Sequence, residues 1–199
     1  MIPRHLLISV ALMLTVALGM GFYVWHMRAK AGPAVSATAG TQPIAPPVSG
    51  PTEQVTLYVA YDDEGVLHAT PARIPLPAGR QERAIEMLRV LVDTYLDKSS
   101  PHPLGAGAEI RDVYLVDPGL AVIDVNSAFS DSHRSGVLVE ELTVASLIET
   151  LSANIPGITR IKILVDGKER ETLAGHVDLT NFFELPAVNQ LVAQLQTAQ

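Results

Sequence analysis

Histidine is the side chain best suited to acid–base chemistry near neutral pH. The sequence contains six of them, at His5, His26, His68, His102, His133 and His176. No two stand at the spacing of a helical zinc motif such as His-Glu-x-x-His, so no metal site is predicted. His102 and His133 lie in polar stretches, where we expect them to be solvated. His176, in a Gly-His-Val-Asp run, is expected to brace a turn rather than to act in catalysis.

Serine and aspartate residues surround one of these histidines. Near His133 in the sequence are Ser127, Ser130, Ser132, Ser135, Asp124 and Asp131. A Ser-His-Asp triad depends on closeness in space, and the sequence lacks the Gly-x-Ser-x-Gly turn that exposes a nucleophilic serine. A polar connection that caps a helix is the interpretation that these residues favour.

Two runs of acidic residues could supply the carboxyl pair of a glycosidase, whose members face each other across a cleft. Asp62-Asp63-Glu64 precedes Gly65 and has the composition of a turn. Glu140-Glu141 falls in the first turns of a predicted helix, where the helix dipole favours negative charge. Gly105-Ala106-Gly107 precedes a predicted strand, whereas a phosphate-binding loop precedes a helix. We therefore predict no catalytic residue, no cofactor-binding residue and no enzymatic activity.

The composition excludes several classes of protein. All 21 acidic residues lie at or after Glu53, with 11 basic residues in the same region, so its net charge is −10. An acidic surface of this kind repels nucleic-acid phosphates and anionic lipid headgroups, so no nucleic-acid partner is predicted. The absence of cysteine excludes disulfides, cysteine-bound zinc, thiol catalysis and a lipid-modified cysteine.

Residues 1–30 are predicted to form an N-terminal transmembrane anchor. Leu6 to Trp25 is an uncharged apolar run, which as a helix would span roughly 30 Å, the thickness of the hydrocarbon layer. Tyr23 and Trp25 suit the membrane interface. A cleaved signal peptide, cut at Ala29-Lys30-Ala31, is the alternative, but the apolar region of such a peptide is usually shorter.

Residues 31–52 are predicted to be a linker between the anchor and the next domain. The residues up to Thr52 carry no charge, and Pro, Ala, Gly, Ser and Thr predominate among them. The ends of such a flexible coil would lie about 25 Å apart. The linker would therefore hold the domain away from the membrane surface.

The remaining chain predicts an α+β domain over residues 53–183 and a C-terminal helix over residues 184–199. The predicted order is strand (55–61), strand (66–74), helix (79–97), strands around Val113 and Val122, helix (135–154), strand (161–165) and a hairpin at Asp166-Gly167. Apolar residues three or four apart indicate the helices, and alternation indicates the strands. We expect a mixed, mostly antiparallel sheet with two helices packed on one face. Two ββα-like halves plus the hairpin would build this domain, preceded by one transmembrane helix.

Several short runs, in this order, resemble the GerMN domain of sporulation and germination proteins and of other bacterial envelope proteins. The runs are Val55-Thr56-Leu57-Tyr58, Arg73-Ile74-Pro75, Val122-Ile123-Asp124-Val125-Asn126, Glu140-Glu141-Leu142, Thr150-Leu151, Pro156-Gly157-Ile158, Ile161-Lys162-Ile163-Leu164-Val165-Asp166-Gly167 and Thr172-Leu173-Ala174-Gly175-His176-Val177-Asp178-Leu179. Glu149 departs from the family, which often has asparagine before Thr-Leu. The resemblance implies a domain tethered outside the cytoplasmic membrane, without an assigned catalytic site.

The expected function is a non-enzymatic protein-interaction module in a cell-envelope assembly of the sporulation or germination type. Residues 6–25 would hold it in the cytoplasmic (inner) membrane as a single-pass protein, with its C-terminal domain on the periplasmic side. Its partners would be other envelope proteins or a second copy, reached through sheet edges or the apolar C-terminal helix. The alternative is a cell-wall-associated enzyme or peptidoglycan-binding domain, for which few aromatic residues are available.

Overall fold

The computed structural model describes residues 51–116 and 118–197. The predicted anchor (residues 1–30) and nearly all of the predicted linker (31–52) lie outside these ranges. Inside them, no helix combines the length and the apolar composition that crossing a bilayer requires.

An antiparallel hairpin opens the described chain. It consists of β1 (Thr52–Tyr61) and β2 (Val66–Pro75), with Tyr61 paired to Val66 next to the turn. Gly65 has a φ of 68°, a value that glycine adopts without the clash that a Cβ would cause. Both strands were predicted. Among the described strands, β2 pairs with β1 alone.

Helix α1 (Arg80–Leu96) follows the hairpin. Each of its ends lies within one residue of the predicted end. One face of α1 is buried, and it consists of Ala84, Met87, Leu88, Leu91, Val92 and Tyr95. This spacing of three or four residues is the pattern that predicted the helix. The helix packs mainly against β3, the first strand of the second sheet, which begins at Ile110.

The second sheet contains β3 (Ile110–Val116), β4 (Leu120–Val125), β5 (Arg160–Val165) and the short β6 (Phe183–Glu184), in that spatial order. The pair β4–β5 is parallel, and the other two pairs are antiparallel. Between β4 and β5 the chain forms α2 (Ser127–Asp131) and α3 (Val137–Asn154). This long connection allows the two strands to run parallel, because a short turn joins only antiparallel neighbours.

Two expectations about the sheet are wrong. The hairpin and the four-stranded sheet are separate, whereas a single sheet was expected. The Asp166-Gly167 turn does form, with φ values of 51° and 71°. However, the chain directly after the turn pairs with β5 at one isolated bridge, between Val165 and Lys168, and does not continue as a strand. Farther along, backbone N–H groups of this returning segment donate to the carboxylate of Glu140, so they are not available to a sheet.

The start of α3 also differs from the prediction. The helix was predicted to begin at residue 135, but its first residue is Val137 and its N-cap is Gly136, whose N–H donates to Glu140 Oε1 at 3.3 Å. The helix ends at Asn154, ahead of Pro156 and Gly157, as predicted. The final helix, α4 (Leu185–Thr197), packs against α3 and β2 and buries Val188.

Candidate functional site

A line of polar residues runs down α3 and is almost entirely buried. It comprises Glu140, Thr143, Ser146, Thr150 and Asn154, spaced three or four residues apart, and we call it the polar stripe. The first four of these residues are 0 % exposed. Since buried polar groups require hydrogen-bond partners, this stripe determines which parts of the chain must lie beside α3.

The C-terminal half of the polar stripe pairs with the free edge of β1. Asn154 accepts from the N–H of Thr56 at 3.1 Å and donates to the carbonyl of the same residue at 2.7 Å. Thr150 Oγ1 accepts from the N–H of Tyr58 at 2.8 Å, and Ser146 Oγ donates to the Tyr58 carbonyl at 2.6 Å. These side chains occupy the positions that a neighbouring strand would take, so they close an edge that would otherwise remain unpaired.

The tyrosine of α1 completes this pairing. The hydroxyl of Tyr95 accepts from the N–H of Ala60 at 2.9 Å and also contacts Ser146 Oγ. The side chain is 1 % exposed, and burial is the main reason why the pKa of Tyr95 lies above its ordinary value. Tyr95 therefore remains protonated and serves as a structural hydrogen-bonding group.

At the N-terminal half of α3, Thr143 meets two histidines from different loops. Its Oγ1 lies 2.7 Å from Nε2 of His102 and 2.7 Å from Nε2 of His133. On the far side, His102 Nδ1 lies 2.5 Å from Asp62 Oδ1, in the turn between β1 and β2. His133 Nδ1 lies 2.7 Å from the carbonyl of Arg134. We call Asp62, His102, Thr143, His133 and Arg134 the histidine cluster.

The expected solvation of these two histidines is therefore wrong. Their exposed fractions are 0 % for His102 and 8 % for His133. Burial lowers the pKa of both imidazoles below the ordinary value for histidine, although the Asp62 carboxylate acts in the opposite direction. The neighbouring residues in the sequence are polar, but Thr143 supplies a partner inside the domain. The polar residues at every third or fourth position of α3 were the sequence signal that could have revealed a buried partner for His102 and His133.

The carboxylate of Glu140 organises the segment that contains His176. Its Oε2 accepts from the backbone N–H groups of Ala174, His176 and Val177, each at 3.0 Å, and its Oε1 lies 2.9 Å from His176 Nδ1. Burial by itself raises the pKa of Glu140, but these hydrogen bonds outweigh it and lower that pKa to about 2. His176 thus braces a turn, as its sequence context suggested.

The serines near His133 do not form a triad with it. Ser130 donates to the carbonyl of Leu173, and Ser132 donates to the carbonyl of Ala128. Ser135 Oγ lies 3.3 Å from His176 Nδ1, which is also the nitrogen that contacts Glu140. A catalytic histidine needs its acid and its nucleophile on opposite ring nitrogens, so this arrangement cannot relay a proton from the serine.

Most of the remaining candidate residues have structural partners. Asp124 Oδ1 accepts from the N–H of Gly167 at 2.7 Å, Asp131 pairs with Arg170, and the exposed Ser127 bonds to Asp166. Glu64 lies 2.9 Å from His68, and Asp63 is exposed in the same turn. Among the residues that the structure describes, no three histidine, aspartate or glutamate side chains are grouped closely enough to hold a metal ion.

Two surface features are open to other molecules. The first is a groove of about 320 Å³ between α3 and α4, lined by Val137, Glu141, Val144, Ala145, His176, Val177, Asp178, Phe183, Val188 and Leu191. The second lies on β3, an edge strand of the four-stranded sheet, where Tyr114 and Val116 are 45 % and 46 % exposed. On both surfaces apolar side chains are accessible to solvent, which is typical of protein contact sites.

Comparison with known structures relates the fold to solved domains. The tandem GerMN domains of the sporulation protein GerM from Bacillus subtilis align with a TM-score of 0.53 and 20 % identity, over 67 % of this chain and 46 % of that one. The first GerMN domain of the same protein gives 0.49 and 20 %, over 67 % and 98 %. A candidate lipoprotein from Clostridium perfringens gives 0.48 and 21 %, over 74 % and 97 %. The likeness to the tandem domains concerns the fold alone, an α+β fold as predicted.

Comparison with protein families identifies the chain more directly. A comparison with curated protein sequences gives no match. By contrast, the model of the Germane family, described as "Sporulation and spore germination", matches residues 56–171. Because this match covers more than half of the chain, the protein belongs to the Germane family, as its resemblance to the GerMN domain predicted.

Proposed function

We propose that residues 53–183 act as a non-enzymatic protein-interaction module outside the cytoplasm, in a cell-envelope assembly of the sporulation or germination type. Residues 6–25 tether the module to the cytoplasmic membrane, and residues 31–52 separate it from the bilayer. The family description and the apolar N-terminal run support this location. The partner is another envelope protein or a second copy of this chain.

One observation carries the proposal: reactive side chains are engaged internally, while apolar side chains are exposed. His102, His133 and Glu140 are buried and hydrogen-bonded to neighbouring segments. A catalytic acid or base must instead reach a bound substrate. Tyr114 and Val116 lie exposed on an edge strand, where a partner strand or an apolar surface can pack against them.

Site-specific photo-crosslinking in living cells tests this proposal. A photoreactive amino acid replaces Tyr114 in the full-length protein, and in a control it replaces Lys98, an exposed polar residue after α1. We expect one discrete crosslinked species from position 114 and none from position 98. A species containing two copies of this chain would identify self-association. Identical crosslinking patterns at both positions would refute contact through β3.

Two further measurements test the location and the absence of catalysis. A reporter that is active only outside the cytoplasm, fused after Gln199, should be active, and a reporter active only in the cytosol should not. The purified protein should release no fragments from peptidoglycan during incubation. Fragment release by the purified wild-type protein would instead support the alternative of a cell-wall enzyme.

A further inference from the structure

The histidine cluster connects four parts of the chain that are distant in sequence. Asp62 belongs to the turn of the β1–β2 hairpin, and His102 belongs to the loop between α1 and β3. His133 and Arg134 belong to the loop before α3, and Thr143 belongs to α3 itself. Arg134 also pairs with the Asp62 carboxylate, which closes the cluster into a ring of contacts.

The outer contacts of the cluster determine which nitrogen of each imidazole carries a hydrogen. As a carboxylate, Asp62 can only accept, so Nδ1 of His102 must donate to it across the 2.5 Å contact. The carbonyl of Arg134 can also only accept, so Nδ1 of His133 must donate across 2.7 Å. In two neutral imidazoles, both Nε2 atoms are then bare and both point at Thr143.

The hydroxyl of Thr143 cannot satisfy all of its neighbours in that state. It has one hydrogen, yet it faces Nε2 of His102, Nε2 of His133 and, at 3.0 Å, the carbonyl of Val139. One additional proton on either ring supplies the missing hydrogen. The charged ring then donates to Thr143, and Thr143 donates to the other ring. All four contacts that involve the rings then contain a hydrogen.

We propose that Thr143 joins His102 and His133 into a single acid-sensitive site that binds one shared proton. The charged and titratable groups around it come from each neighbouring element: Asp62 from the hairpin turn, Tyr95 from α1, Arg134 from the loop and Glu140 from α3. The ring centroids lie 6.2 Å apart, so the charge of one imidazolium opposes a second protonation. Acidification therefore changes the hydrogen bonding between Thr143 and the two histidines in one step.

Nitrogen-15 NMR of the full-length chain in detergent micelles, with ¹⁵N-labelled histidine rings, tests this inference, because protonated and bare ring nitrogens have distinct resonances. Single His→Gln variants assign the signals. At pH 8 we expect hydrogens on Nδ1 and bare Nε2 atoms in both rings. As the pH falls, the two Nε2 signals should move together with one common midpoint.

Replacement of Thr143 distinguishes protonation that is coupled through its hydroxyl from protonation of two histidines that are merely buried. Thr143→Ser keeps the hydroxyl and should preserve the common midpoint. Thr143→Val removes it while nearly preserving shape, and should lower the proton affinity of the pair about tenfold, roughly the effect of one hydrogen bond. Circular dichroism at each pH verifies that the variants are folded. Should Thr143→Val fail to fold, the wild-type tautomers at pH 8 and the shared midpoint still decide the question.

Three results would each overturn the inference. The first is a ring that carries its hydrogen on Nε2 and not on Nδ1 at pH 8. The second is a pair of separate midpoints for His102 and His133 in the wild type, and the third is a common midpoint that Thr143→Val leaves unchanged.

Discussion

Glu140→Gln should remove most of the electrostatic stabilisation that the buried carboxylate provides. The pKa of Glu140 is lowered from 4.5 to about 2 in the folded state. Each pKa unit corresponds to about 1.4 kcal/mol, so the charged carboxylate contributes about 3 kcal/mol to the free energy of unfolding at neutral pH. Its geometry explains this value, since three backbone N–H groups and the ring of His176 converge on the two oxygens.

The pH dependence gives a second, independent test of the same reasoning. A carboxyl whose pKa is lowered by folding stabilises the folded state fully above its ordinary pKa and progressively less as the pH falls toward 2. The difference in unfolding free energy between wild type and Glu140→Gln should therefore be about 3 kcal/mol at pH 7 and roughly half of that at pH 3. Urea unfolding of the full-length chain in a mild detergent, followed by far-ultraviolet circular dichroism, measures both values.

Glu141→Gln is the matched control, because Glu141 is the next residue of the same helix and lines the groove beside α4. We expect a change within about 0.5 kcal/mol, as for most substitutions of accessible side chains. A Glu140→Gln loss of stability that is the same at both pH values, or equal losses in the two variants, would refute this electrostatic role of Glu140.

Three further perturbations test other parts of the structure. Thr150→Val should lower the free energy of unfolding by about 1–3 kcal/mol, because the N–H of Tyr58 loses its acceptor. Hydrogen exchange at the Tyr58 amide should become faster in this variant, whereas Ser152→Ala should leave it unchanged. Gly167→Ala should lower the stability by about 1 kcal/mol, because φ is 71° there, and an unchanged melting temperature would contradict this. Glu149 Oε1 is buried without a hydrogen-bond partner and burial raises the pKa of this carboxyl. Glu149→Gln should therefore raise the free energy of unfolding at pH 7. This gain should disappear below the ordinary glutamate pKa, where the wild-type carboxyl is neutral, as the glutamine side chain is at every pH.

Much of the local structure could be predicted because neighbouring residues determine it. The apolar spacing of α1 identified that helix, and Pro156 with Gly157 marked the end of α3. Asp166 and Gly167 form the turn that their residue types suggest, because both adopt positive φ angles that most side chains avoid. The order of short motifs also identified the family, since this order does not depend on how the strands pair.

The candidate site was less predictable because its contacts join residues that are far apart in the sequence. Glu140 was interpreted through the helix dipole, yet its main partners are backbone groups more than thirty residues later. The polar stripe of α3 is visible in the sequence, but its spacing does not reveal whether the stripe faces solvent or a strand edge.

By itself, the sequence therefore determined the three longer helices, most strands, the Asp166-Gly167 turn and the family, all of which follow from local spacing and residue type. Only the tertiary structure decided that the sheets are separate, that β1 pairs with side chains of α3, and that His102 and His133 are buried. The physical reason is that a hydrogen bond requires a partner at short distance in space, and local periodicity does not specify which distant residue supplies it.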